Sequence, residues 1–344
     1  ADEGRWWFFP AAWAVKTPIP LLISGAAGLA ALVAALRRER ALAAVLLLGP
    51  ALVAGPSVVS SLNLGVRHLL PAVPFLAVGG GMAAAWAWRR GPIGRAAAGL
   101  ALLWLAAGTL RVHPDEMAYA NEAAGGPSRL WRVLSDSNVD WGQDLPALER
   151  EVSRFPLRRL YLAYFGTADP SAYGLRYRWI PSFGMAERRE EDGGDPSGRE
   201  WIAISVTNLM DVYAGTHASH AWLRERPMAA FPGRSIALFD VTGDAAAHLA
   251  LGETSLSFGE YRAAEAPLAR AAEIAPGDAR ARVALAVSLA GQGRGAEAEA
   301  ECKAAVALDP GAAEPGGICA ALAAPGGLAG PRETTYLPPP RGER

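Results

Sequence analysis

Cysteine is almost missing from this 344-residue chain: Cys302 and Cys319 are the only two, both near the C-terminus and without CxxC or Cys/His spacing. That excludes a disulfide-built scaffold and a structural zinc site. Cys302 stands among alanines and reads as a buried thiol. Acidic side chains are scarce in one part only. Residues 1–112 carry three of them against ten basic ones, a net of +7, while the rest of the chain nets −8, so the formal charge of −1 joins two unlike parts. So charge-poor and basic a beginning excludes a simple cytosolic globule. A basic stripe with interleaved aromatics is also missing, which excludes nucleic acid as a partner. The chain opens on Ala1-Asp2-Glu3, with no Met and no basic leader ending in a small-residue cleavage site, and we expect a piece of a longer protein.

What the sequence has is hydrophobic length. Uncharged apolar stretches run near 19–36, 41–66, 69–88 and 96–110. Three are long enough for a hydrocarbon core of about 30 Å at about 1.5 Å per helical residue. The fourth reaches it if Arg95 and Arg111 extend their tips to the interfaces. Four such runs in succession are hard to house as core helices of a soluble domain, so residues 1–112 are expected to form a transmembrane bundle of four spans. Arg37, Arg38 and Arg40 lie between the first two, and Arg89, Arg90 and Arg95 between the last two. The positive-inside rule then sets both loops in the cytoplasm and everything after Arg111 in the periplasm or outside the cell, as in a multi-pass inner-membrane protein. Trp6, Trp7, Phe8, Phe9 and Trp13 read as an aromatic belt at the outer interface. Three outer-face groups remain, Lys16, Arg67 and His68. They serve either as interfacial anchors or as contacts for the phosphate of a lipid carrier. Arg67 is the better suited to the second role, because its planar fork grips phosphate bidentately.

From 113 to 241 the apolar runs shorten, and the pattern reads as a periplasmic α/β domain. Strands are expected at 160–165, 201–206 and 236–241, and helices at 145–155 and 218–226, with Asp144 capping the first helix. Six charges in Glu187–Gly194 read as an exposed loop. The densest polar run is Asp136-Ser137-Asn138-Val139-Asp140-Trp141-Gly142-Gln143-Asp144. A calcium loop fails here, because Trp141 stands where glycine is needed and Ala147 where glutamate is. Two readings stay open. The polar side chains tie down the start of a helix, or Asp136, Asn138 and Asp140 meet sugar hydroxyls or phosphate while Trp141 covers an apolar sugar face.

The last part repeats. A shift of 34 residues sets Gly259 on Gly293, Ala264 on Ala298, Ala271 on Ala305 and Pro276 on Pro310. Small residues at a helix crossing and Pro at each unit's end are the pattern of the tetratricopeptide repeat. The second unit departs from it with Ala286 and Gly295 where the first has Gly252 and Tyr261. The repeat is expected over 244–323 and implies a protein partner. Two units fall short of the usual three, so the pair must lean on the α/β part or on that partner. The Gly- and Pro-rich tail, 324–344, is expected to be disordered.

Several motifs together resemble the C-terminal part of a bacterial glycosyltransferase of the GT-C superfamily, in the group related to family 39 protein mannosyltransferases and RgtA/B/C/D-like proteins. They are Trp7-Phe8-Phe9-Pro10 with Lys16-Thr17-Pro18, Asn63-Leu64-Gly65-Val66-Arg67-His68-Leu69-Leu70-Pro71, Tyr119-Ala120-Asn121-Glu122, the run from Asp136 to Leu145, and Tyr164-Phe165-Gly166-Thr167-Ala168-Asp169-Pro170. The resemblance implies an integral-membrane enzyme that moves a sugar from a polyprenyl-phosphate carrier to an acceptor on the outer face, and it adds Asp169 to the candidate sugar or acceptor contacts. The family's catalytic aspartate, which often works with a divalent metal, lies in the first outer loop, a part expected upstream of residue 1. Catalytic residues are therefore unknown here, and no metal ligand or cofactor is evident in the chain. The alternative is a membrane-anchored scaffold that binds a protein through its repeats.

Overall fold

The computed structural model describes residues 5–35, 40–59, 65–184, 187–214, 218–313 and 319–320. Asp2-Glu3, Arg37, Arg38, Asn63-Leu64 and the tail 324–344 lie outside the described residues. Contacts divide the chain into two units, 1–141 with 233–235, and 142–232 with 236–344. Residues 113–141 therefore go with the apolar helices, and the repeats go with the sheet.

The first unit is built on α1 (Phe8–Lys16), α2 (Ile19–Ala35), α3 (Arg40–Val59), α4 (Val73–Trp88) and α5 (Pro92–Leu110), with a 3-10 turn, Val66–Ala72, leading into α4. Three of these are long and apolar enough to cross a membrane: α3, the turn with α4, and α5. The stretch expected to be the weakest span is thus long and apolar enough to cross a membrane. Pro92 begins α5 after Gly91, which adds a turn ahead of Arg95. The first expected span falls short, because α2 has 17 residues and passes only together with α1, from which it bends by 115°. The cause of the bend is Pro18, which has no N–H to give to the Ala14 carbonyl. Asn121 supplies the missing donor: its Nδ2 donates to Ala14 O at 2.5 Å and to Thr17 O at 3.0 Å. Of the residues read as an aromatic belt, Trp6 and Trp7 are exposed, whereas Phe9 is buried and sits edge-on to His68. Helices α2 and α4 approach through glycines, and a Cβ at Gly28 would lie 1.9 Å from Gly79 O.

The second unit holds α6 (Leu145–Val152), β1 (Leu157–Ala163), β2 (Arg178–Trp179), β3 (Arg199–Ser205), α7 (Val206–Leu209), α8 (Ala221–Arg224) and β4 (Ile236–Asp240). The sheet order is β2-β1-β3-β4, with β4 antiparallel and the others parallel. All three expected strands are present within a few residues of their predicted limits, and β2 is an addition. The helix expected at 218–226 is a single turn, and Asp144 stands at the N-cap of α6 without a side-chain cap bond among the described residues. Leu160 and Leu162 join Leu145, Leu148 and Val152 of α6 in one core. Tyr161 points to the opposite face, as the strand period requires, and meets His248. The Glu187–Gly194 segment is no free loop. Asp192 takes Arg159 of β1 at 2.6 Å and Arg178 of β2 at 2.8 Å, so it straps the sheet edge. Those two guanidiniums outweigh its burial and hold the Asp192 carboxyl well below the usual carboxylate range.

The repeat helices are α9 (Ala245–Ser257), α10 (Tyr261–Ile274), α11 (Ala279–Gly291) and α12 (Gly295–Leu308). Gly252 lets α9 lie against Leu268 of α10, where a Cβ would come within 2.3 Å. The first pair leans on the sheet through charge. Glu200 of β3 is fully buried, and Arg270 Nε of α10 donates to its two oxygens at 3.0 and 3.1 Å. One reading needs correction: Cys302 is no free thiol but is bonded to Cys319, which ties α12 to the segment beyond the second repeat. A spacing of 17 residues carries no sequence signature of a pair, and only the return of the chain onto α12 brings the sulfurs together.

Candidate functional site

Residues far apart in sequence line one cavity of about 480 Å³ in the first unit. Among them are Lys16, Arg67, Glu116, Tyr119, Asn138 and Trp141. Each arrives for a local reason. Lys16 ends α1 at the Pro18 bend, and its ammonium donates to Met117 O at 2.6 Å and Asn138 O at 2.7 Å. Two of its three N–H groups are thereby used in holding the loop, and one remains. Arg67 sits in the 3-10 turn that precedes α4, with its guanidinium 4.9 Å from the centroid of the Trp141 ring. Among the described residues no carboxylate lies within ion-pair distance of Lys16 or Arg67.

The polar run after Ser135 divides its labour. Asn138 is buried; its Oδ1 accepts from Val66 N at 2.9 Å and its Nδ2 donates to Ser135 O at 3.1 Å, so it braces the turn that carries Arg67. Trp141 is half exposed, and its Nε1 donates to Ser137 O at 2.9 Å, which sets the indole plane under Arg67. Asp140 is fully buried and Asp136 half-buried, and neither lines the cavity. His68 is exposed beside Arg67, whose Nε donates to its Nε2 at 3.4 Å, and it too lies off the lining. Asp169 belongs to the second unit, where it caps a 3-10 turn through Ser171 at 2.9 Å.

Two further titratable residues line the cavity, Glu116, which was not singled out from the sequence, and Tyr119, which entered only as part of a motif. Glu116 is paired with His113 at 2.6 Å, and that hydrogen bond keeps its carboxyl below the usual range. Burial, followed by the nearby charge of Glu122, pushes the Tyr119 phenol up to about 12, so it is a neutral donor. Neither has a spacing signal, although Tyr119 stands two residues before the Asn121 brace. A second cavity of about 340 Å³ is wholly apolar in character, lined by Phe9, Leu29, Val58, Phe75 and Leu76, and shares Trp13 with the first. Among the described residues no three His, Cys, Asp or Glu side chains gather as a metal-binding group.

The cavity thus sets two cations beside a half-exposed indole and shares Trp13 with the apolar slot. Residues 255–322 match the family model of the tetratricopeptide repeat. No curated protein and no solved structure matches the chain. The protein is thus mostly helical, with repeat helices of that family at its C-terminal end, a small sheet, and apolar helices long enough to span a membrane.

Proposed function

We propose that the chain is part of an integral-membrane glycosyltransferase that uses a polyprenyl-phosphate sugar on the outer face of the membrane, with Lys16 and Arg67 at the lipid phosphate. The observation that carries this is the convergence of Lys16, Arg67, Asn138 and Trp141, drawn from three separate stretches of sequence, on one cavity beside an apolar slot. The phosphate meets the Arg67 fork and the one remaining Lys16 N–H, and the isoprenoid lies along the apolar lining. The disulfide supports the outward orientation, since such bonds persist in oxidising compartments. The group that activates the acceptor is not assigned to any residue of this chain.

The test is binding of a polyprenyl phosphate to the full chain in detergent, with the neutral polyprenol as control. Arg67→Ala is expected to weaken binding about tenfold or more, a loss of about 1.4 kcal/mol, without lowering the melting temperature. Lys16→Ala lowers stability as well, because it frees the two carbonyls it now holds. Equal affinity for phosphate and alcohol, or no effect of Arg67→Ala, would remove the lipid-phosphate reading. That outcome leaves the second one, a membrane-anchored scaffold, which the tetratricopeptide match favours because stacked repeats present extended binding surfaces.

A further inference from the structure

The second unit has a separate pocket of about 220 Å³, and its position follows from the sheet. From β1 the chain goes to β2 on one side and returns to β3 on the other, so the carboxyl ends of β1 and β3 flank a point where the connections diverge. Crevices at such points are where open α/β sheets receive ligands. Asn208, just after β3, fixes this end: its Nδ2 donates to Ala163 O at 3.3 Å and its Oδ1 accepts from Phe183 N at 2.9 Å.

Two features of the lining ask for an occupant. The first is a stack of rings, with Phe183 and Tyr213 at 4.2 Å between centroids and Phe165 behind them, although Phe183 is 54% and Tyr213 48% exposed. The second is His220, which is 2% exposed. Its Nδ1 is held by Asp211 Oδ1 at 2.7 Å, and Arg224 holds the other oxygen of Asp211 at 2.6 Å. With the proton on Nδ1, the lone pair is on Nε2, and Nε2 is buried with no hydrogen-bond partner among the described residues. A buried acceptor left unpaired costs about 1–3 kcal/mol. Asp211 itself takes a left-handed backbone conformation, φ 51°, to make this arrangement.

The charges around the pocket are already used. Arg188 lies over Trp179 at 4.5 Å and pairs with Glu260 at 2.9 Å, while Arg224 is spent on Asp211. Among the described residues no lining cation is left for a phosphate or carboxylate. The unmet demand is an O–H donor for Nε2, the part-exposed rings in the same lining present an apolar surface, and a sugar ring matches both with opposite parts of one small molecule. We propose that this pocket binds a neutral monosaccharide unit, with a hydroxyl donating to His220 Nε2 and a C–H face against Tyr213 or Phe183. The site is distinct from the lipid-phosphate cavity, and either can fail without the other.

The experiment is saturation-transfer NMR on the full chain in detergent, with glucose, mannose, galactose and N-acetylglucosamine, against glucuronate and indole. At least one neutral sugar is expected to bind saturably and better than glucuronate or indole. Tyr213→Ala and His220→Asn are each expected to weaken it about tenfold. His220→Asn keeps an amide donor near Asp211 and removes Nε2; if that variant fails to fold, Tyr213→Ala, on an exposed side chain, decides. No saturable neutral sugar, preference for glucuronate or indole, or wild-type affinity in the variants would overturn the proposal.

Discussion

Asn121 does for α1 what Pro18 prevents the chain from doing for itself, and the site depends on it, since Lys16 sits at that helix end. Removing the amide strands two carbonyls, so Asn121→Ala is expected to lower the stability of the first unit by about 2 kcal/mol, read as a lower melting temperature in detergent. Glu200 is the second single residue with wide reach. Burial by itself would raise its carboxyl, but hydrogen bonds and charge from His248 and Arg270 outweigh that and hold it down to about 2. A carboxyl depressed in the folded state stabilises fully above its ordinary value of 4.5 and loses that contribution as pH falls towards 2. The melting temperature is therefore expected to drop over this window in the native chain. In Glu200→Gln it starts lower, by about 3 kcal/mol of stability at neutral pH, and falls less across the same window. Equal slopes for the two proteins would show that Glu200 does not couple the repeats to the sheet. Of these roles the sequence displayed only the motif around Asn121. Both depend on partners about 50 to 100 positions away, beyond the reach of local spacing.

At the scale of elements, periodicity and punctuation went a long way. Apolar runs located α3, α4 and α5, short runs rich in aromatic and β-branched residues located β1, β3 and β4, and the 34-residue shift located the repeat. Element ends followed Pro and Gly more closely than they followed charge, which is why α5 begins at Pro92 and not after Arg95. The α2–α4 contact, by contrast, rests on glycines that carry no pattern of their own. Gly28→Ala is expected to push α2 from α4 and to cost about 1–3 kcal/mol, because the new methyl meets the backbone oxygen of Gly79 and no side chain that can turn away. Thermal unfolding in detergent checks this, and Gly55→Ala, where a Cβ meets nothing within 4 Å, serves as the control.

At the scale of the molecule, the repeats are no separate appendage, since their first pair shares the buried Glu200 with the sheet. The proposed orientation makes a further prediction. Trypsin added outside right-side-out vesicles is expected to cut after Arg188 or Arg189 and to leave the loop at Arg89 and Arg90 intact. Thiol labelling of the unreduced, denatured chain is expected to find neither cysteine free, and labelling of both would contradict an oxidising compartment.

The sequence by itself determined the longer apolar helices, the three longer strands and the repeat, because each is written in a local period that burial of one face or one stripe imposes. It also marked Lys16, Arg67, Asn138 and Trp141 one by one. Only the tertiary structure decided that these four share a cavity, that Asp169 is elsewhere, that Cys302 is bonded, and that Asp211 and His220 meet beneath exposed rings. Such groupings arise from chain reversals at Pro18, Gly65 and the strand ends, and a contact made by reversal leaves no period in the sequence.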